Sequence, residues 1–291
     1  MRTEVLGHVT IDRNISEGVS YVGAGGPAVF IEKIFRQLPN CRIGIIAPYG
    51  PDLIPYLDGS TLNPKHPTSA STLVYENVSA LGRRSQKALN RDEARPIPLS
   101  GDIAKTISEA DILFFAPLLP NFPAQYLADV EAIAKKDSLK VLLPQGYFRD
   151  FDPENNVFPR EFLEAREVLS HVDVVIVSEQ DHSNMLEIAR EWSKDTNLIS
   201  VVTLGEKGAV GIIDRSEVYV PVNPVSEEDI VDSVGSGDIF SAGFAYFFKQ
   251  TGKLEESIRF ANELARQALF YPADRIKIEV GNYFNSGQVN A

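Results

Sequence analysis

The sequence predicts an α/β fold: a doubly wound, mostly parallel sheet with helices on both faces and a small β lid beside it. Three observations carry the prediction. Short apolar runs of strand length recur along the chain, EVLGHVTI, CRIGIIAPYG, DILFFAP, KVLLPQG, VDVVIVSEQ and LISVVTLGEKG. Helix-like stretches such as FPAQYLADVEAIAKKD and DHSNMLEIAREWSKD lie between them, and in the first Leu127, Val130, Ile133 and Ala134 recur at helical spacing. Two polar-faced segments, at about 12–24 and 71–90, break the alternation. Strands alternating with helices build a parallel sheet covered on both faces, and ligands of such sheets gather at the carboxyl ends of the strands. The polar tails of the apolar runs are therefore the places to look for a site.

In the second polar segment Leu73, Tyr75 and Asn77 alternate with Val74, Glu76 and Val78, which suits a half-exposed strand. The two segments either pair into one small sheet or stand as separate edge hairpins, and the pattern alone leaves both open. STLNPKHPTSAST reads as a connecting loop, and the tail NYFNSGQVNA as a poorly ordered end. No internal repeat is present. The expectation is one domain over residues 1–291, with the two lid segments inserted in it.

Of the 291 residues, 44% are hydrophobic and 23% charged, ordinary for a globular protein. The formal net charge of −12 argues against a general nucleic-acid or acidic-membrane surface, although backbone amides can still hold a phosphate. Cys41 is the sole cysteine, which rules out an internal disulfide and any cysteine-based zinc cluster. No run approaches about 18 apolar residues, so no membrane association and a cytoplasmic location are expected. His8, His66, His171 and His182 show no metal spacing and read as structural or exposed, and Trp192 reads as core.

DSVGSGDIFSAGFAYFF, residues 232–248, holds the strongest chemical signal. Ile239, Phe240, Gly243, Phe244, Phe247 and Phe248 form an apolar stripe at helical spacing, so a helix starts near Gly237 or Asp238 and Gly252 can close it. The first amides of a helix have no internal partner, and glycines let an anion approach them. Three roles fit the acid. As an N-cap it would contribute about 1 kcal/mol. As a metal ligand it needs further carboxylates, and as a general base it takes a proton from a substrate hydroxyl.

DSVGSGDIFSAGF resembles the C-terminal signature of the PfkB/ribokinase family of small-molecule kinases, an Asp, two variable residues, then Gly-Ala-Gly-Asp, with Ser236 in place of the alanine. The resemblance implies a ribokinase-like fold, Asp238 as catalytic base, and an anion hole from the amides of Gly235, Ser236 and Gly237. It sets Asp232 near a bound monovalent cation such as K⁺, or as the cap of its turn. Other segments resemble the family in order along nearly the whole chain. GHVTID resembles the first strand, with Asp12 as the acid that binds substrate hydroxyls, and GAGGPAVF resembles the N-terminal signature, with Gly25 and Gly26 lining the substrate pocket. VTLGEKGAVGI resembles the strand-turn-strand near the nucleotide, carrying Thr203, Gly205, Lys207 and Gly208. SIRFANELARQAL resembles the late helix on the adenine side, with Asn262 beside the base. VSEQD stands where the family has its Asn-x-x-Glu magnesium motif, so Glu179 and Asp181 are the matching acids. ATP and Mg²⁺ are the implied donor and cofactor.

There are departures. Phe30 replaces an asparagine that follows the diglycine, which implies an altered acceptor pocket. LPQGYFRDFDP is similar to a Gln-Gly/Ala-x-x-Arg segment of a divergent branch that includes inositol kinases and uncharacterised sugar kinases. In that branch Gln145 and Arg149 become substrate or phosphate contacts, or else a buried structural pair. Gly82, Arg83 and Arg84 read as a lid turn whose arginines are solvated or reach over the substrate. The expected activity is transfer of the γ-phosphoryl group of ATP to a hydroxyl of a sugar, polyol or nucleoside. Phe30 and the altered metal motif leave an alternative, a catalytically weak or inactive ligand-binding protein on the same fold. GAGG as a dinucleotide fingerprint is weak, because the full Gly-x-Gly-x-x-Gly spacing is missing. Pairing of two subunits through the lid is left open by the sequence.

Overall fold

The computed structural model describes residues 1–16, 19–57, 59–80 and 83–281, without the side chains of residues 16, 19, 79, 80, 83 and 84. The expectations for Gly82, for the Arg83 and Arg84 side chains and for the polar tail therefore lie outside the described residues.

The chain opens with β1 (Arg2–Gly7), β2 (Thr10–Ser16), β3 (Val19–Gly25), α1 (Pro27–Phe35), β4 (Arg42–Ile46) and β5 (Leu62–Asn63). It continues through β6 (Leu73–Ala80), β7 (Arg83–Leu89), α2 (Gly101–Ser108), β8 (Ile112–Ala116), α3 (Ala124–Ile133) and β9 (Leu139–Leu142). Next come a hairpin, β10 (Arg149–Phe151) and β11 (Val157–Pro159), then α4 (Ala165–Leu169), β12 (Val174–Ser178), α5 (Met185–Ser193) and β13 (Ile199–Thr203). β14 (Ala209–Ile213), β15 (Ser216–Val220), α6 (Ser236–Thr251) and α7 (Leu254–Ala268) complete it.

Nine strands form the main sheet in the order β15-β14-β13-β12-β9-β8-β1-β4-β5. All pairs from β13 to β5 are parallel, and β14 and β15 are antiparallel. Successive residues of the central strands enter different cores, which is why these runs are continuously apolar rather than alternating. Val5 and Phe114 pack with α1, α6 and α7, whereas Leu6 and Phe115 pack with α2, α3, α4 and α5. Strand order reverses between β1 and β8, and the crevice at the carboxyl ends there is where an α/β sheet receives its ligand.

The two polar segments pair into one four-stranded sheet, β3-β2-β6-β7, with β2 and β6 parallel and the outer pairs antiparallel. Between these alternatives the structure thus selects the lid. The run EVLGHVTI, expected as one strand, is split at His8 and Val9, where the chain leaves the main sheet for the lid. His8 fixes that exit: its Nδ1 accepts from the Leu118 N–H at 2.9 Å and its Nε2 donates to the Ala94 carbonyl at 3.0 Å. Burial lowers its pKa to about 4, so it is neutral. The β10–β11 hairpin, which the sequence did not suggest, docks on the lid through the Ala88 N–H to the Asn155 carbonyl at 2.9 Å.

Candidate active site

Helix α6 starts at Ser236, slightly earlier than expected, behind Gly235 in the left-handed region at φ 79°. Only glycine suits that position twice over: the backbone is left-handed, and a Cβ would enter the Phe30 ring. Phe30 is 6% exposed and packs beneath the turn, with the Lys33 ammonium 5.0 Å from its ring centre. The Ser236 N–H makes a long bond to the Ser233 carbonyl at 3.3 Å. The Gly237 and Asp238 amides find no acceptor among the described residues, and the space beside Gly237 is open. The Gly235 amide finds no acceptor there either, so of the three expected amides those of Gly235 and Gly237 are unused, Ser236 is engaged only by its long bond, and the Asp238 amide adds a further free donor.

Asp238 lies in the first turn of α6, yet no side chain caps this helix, so the N-cap role does not apply. Its carboxyl makes no hydrogen bond or ion pair of its own among the described residues. Burial raises its pKa to about 7; the Arg149 charge opposes the rise, and Asp12 and Asp181 add to it. A carboxylate held without partners near neutral pH is suited to taking up a proton.

The lid supplies Asp12. Its carboxylate lies where a Cβ of Gly25 would be, and Thr10 donates to it at 2.6 Å. Gly26 begins α1 directly after it. Arg149 leaves the turn after β9 and lies over the ring of lid residue Tyr75, 5.0 Å from its centre. Tyr75 is 3% exposed and donates to the Leu118 carbonyl at 2.9 Å. Gln145, in the same turn, is partly exposed and makes no hydrogen bond among the described residues. Asp12, Arg149, Asp181 and Asp238 thus form one electrostatic group.

Tyr75 and the packing role of Phe30 were missed from sequence. The only signal for Tyr75 was its place in the alternation with Leu73, and its Arg149 partner is remote in the chain.

Glu179, Asp181 and Asp232 are not gathered into one cluster among the described residues. Asp181 accepts from the Ser178 N–H at 2.8 Å, and burial raises its pKa against the opposing effects of that bond and of Arg149. Glu179 is exposed at the end of β12. Asp232 accepts from the Val234 N–H at 2.9 Å and the Ala273 N–H at 3.1 Å. That is a turn-capping role, and a monovalent cation would have to share it. Among the described residues no three His, Cys, Asp or Glu side chains are gathered to hold a metal.

On the far side of the crevice, Thr203 ends β13 with its hydroxyl on the Val177 carbonyl at 3.3 Å. Gly205, Lys207 and Gly208 form the turn into β14, and Tyr219 donates to the Lys207 carbonyl at 2.7 Å. Asn262, 6% exposed on α7, donates to the Val220 carbonyl at 3.0 Å. Its amide N–H is spent on the end of β15, and its burial leaves little of it for a ligand.

No helix among the described residues is long and apolar enough to cross a membrane. The chain is 27% identical over 290 residues to a cytidine kinase of Thermococcus kodakarensis, covering 91% of this chain and 95% of that one. Its fold is similar to a pyrophosphate-dependent kinase in the ribokinase family, at TM-score 0.77 and 19% identity over 94% and 96% of the two chains. It is also similar to the ribokinase of Arabidopsis thaliana complexed with ribose and ATP, at TM-score 0.68 and 17% identity over 92% of each. The pfkB family carbohydrate kinase pattern matches residues 70–279, which include the lid strands β6 and β7, Arg149 and the start of α6. With a ribokinase-like fold and a matching sequence over most of its length, this chain belongs to the pfkB family of carbohydrate kinases.

Proposed function

We propose that the chain transfers the γ-phosphoryl group of ATP to a hydroxyl of a sugar, polyol or nucleoside, with Asp238 as general base. The observation that carries this reading is the partnerless Asp238 carboxyl beside the unused amides of Gly235, Gly237 and Asp238 at the start of α6. The acceptor lies between Asp12, Gly25, Gly26 and Asp238. Asp238 takes the hydroxyl proton as that oxygen bonds to the γ-phosphorus in line and the bond from that phosphorus to ADP breaks, so that ADP leaves and the proton remains on the Asp238 carboxyl. The Gly235, Gly237 and Asp238 amides, with Ser236 between them, face the charge of the transferring group, and Arg149 balances the acids around it. The 27% identity to a cytidine kinase supports including nucleosides among the candidate acceptors.

Glu179 and Asp181 are too few to hold Mg²⁺ alone, but the set suits it when phosphate oxygens complete the shell. When bound, Mg²⁺ neutralises phosphate charge and aligns the donor. ATP as donor rests on the resemblance of the Gly205–Gly208 turn and of the helix that carries Asn262 to the family's nucleotide side.

The reading is tested by measuring phosphoryl transfer from ATP and from pyrophosphate to a panel of sugars, inositols and nucleosides. ATP-dependent product with at least one acceptor is expected. Transfer from pyrophosphate alone contradicts the donor assignment, and the absence of transfer from either contradicts the kinase mechanism.

A further inference from the structure

The lid face that carries Asp12 and Tyr75 turns toward the main domain, because Tyr75 is buried there against Leu118. The strand register arranges this face in rows. One row reads Gly23, Asp12, Tyr75, Ala88 and the next reads Tyr21, Asn14, Asn77, Gln86. The second row is an amide ladder. Gln86 Nε2 donates to Asn77 Oδ1 at 2.6 Å, and Asn77 Nδ2 donates to Asn14 Oδ1 at 2.8 Å. A primary amide has two N–H donors and two acceptor positions, so each link uses half of what Asn77 offers. An N–H and a C=O therefore remain side by side on Asn77, and Asn14 Nδ2 makes no hydrogen bond among the described residues. At the end of the row stands Tyr21, 47% exposed, with its hydroxyl folded over Gly23. Burial, then the charges of Asp274, Asp12 and Asp232, raise the pKa of that hydroxyl, which sets it on the Asp12 side of the lid.

The two rows lie about 7 Å apart, two residues of strand rise. A sugar ring with one hydroxyl at Asp238 and others at Asp12 is fully used at the Asp12 row. Only a substituent beyond the ring reaches the amides. Side-chain amides pair in bidentate fashion with planar N–H/C=O edges, and a phenol ring offers a face on which a planar ring stacks.

From this juxtaposition we infer that the Asn14–Asn77–Gln86 ladder, with Tyr21, is a nucleobase subsite and that the acceptor of this kinase is a nucleoside. The inference rests on the kinase reading above and names its acceptor class. The ladder reads the edge of the base, Tyr21 covers its face, and the ribose spans from there to Asp12 and Asp238.

The test is calorimetric binding of cytidine, uridine, adenosine, guanosine, ribose and myo-inositol to Asp238→Asn, which needs no turnover. The comparison proteins are the double variants that add Asn77→Leu or Asn77→Ser, each checked for an unchanged melting temperature. Using two substitutions guards against one that disturbs the lid. At least one nucleoside is expected to bind about 30-fold or more tighter than ribose, consistent with the roughly 1–3 kcal/mol of a good amide–base pair. The Asn77 substitutions should remove most of that preference while leaving ribose binding unchanged. Ribose or myo-inositol binding as tightly as the best nucleoside overturns the proposal, as does an equal loss for every ligand or no binding by any. Wild-type ADP release with a free sugar as the sole acceptor would overturn it while leaving the kinase reading intact.

Discussion

Asp232 and Asp238 lie in one short loop-to-helix segment and carry the same charge, but their surroundings differ completely. Both oxygens of Asp232 accept backbone N–H groups, from Val234 and Ala273, and so tie the approach to α6 to the C-terminal segment. Asp238, at the helix start, has no such bonds and sits among Asp12 and Asp181 with only the Arg149 charge in opposition. The first arrangement stabilises the fold. The second works against it and leaves a carboxyl whose proton affinity lies near neutrality, as expected of a group kept for chemistry.

Breaking the comparison at Asp238 should have the largest effect. Asp238→Asn should lower kcat by roughly 10³-fold, within the usual range for losing a general base, with nucleotide affinity unchanged in a binding titration. The same variant should be more stable than wild type at high pH. The folded pKa of Asp238 is raised to about 7 from 3.8, so its favourable contribution is complete below pH 3.8 and is lost as pH rises through 7. At pH 8 the variant should gain about 1–2 kcal/mol after allowance for partial solvent access, and at pH 4 the difference should nearly vanish in thermal melts.

Arg149→Met removes the one charge that holds the Asp238 pKa down. The acid limb of kcat/KM should move to higher pH, with a loss of about 10–100-fold at pH 7 that partly recovers at pH 9. A uniform loss at every pH would show that Arg149 acts on the substrate rather than through Asp238.

Gly235→Ala places a Cβ at φ 79° and against Phe30. It should cost about 2–4 kcal/mol in denaturant unfolding, from left-handed strain and overpacking together. The smallest effect belongs to Asp232→Ala. Loss of two hydrogen bonds to a charged acceptor should cost about 1–3 kcal/mol in the same assay, with kcat changed less than in any of the others.

Much of this was legible in sequence for a physical reason. The central strands are apolar on both faces, so runs such as DILFFAP declare a doubly covered parallel sheet without reference to any partner. The start of α6 is equally local, since Gly235 and the stripe from Ile239 to Phe248 announce turn and helix together. What remained hidden depended on remote partners. The break at His8 rests on Leu118 and Ala94, and Arg149 meets Tyr75 only because the β10–β11 hairpin docks on the lid. The alternation around Leu73 exposed one face of β6, but the register that aligns Asn77 with Asn14 and Gln86 appears only when the lid is assembled. Asp232 matched the family's cation position by its place in the signature, with a turn cap as the alternative, and the Val234 and Ala273 amides that it accepts from come together only in the folded chain.

The central claim, that Asp238 is the base with an affinity tuned close to neutrality, is tested most directly by the pH profile of kcat/KM for the wild-type enzyme. The rate should fall about tenfold per pH unit below a midpoint near 7, and the residual activity of Asp238→Asn should lack that limb. A wild-type profile flat down to pH 5, or the same limb in the variant, would contradict the assignment.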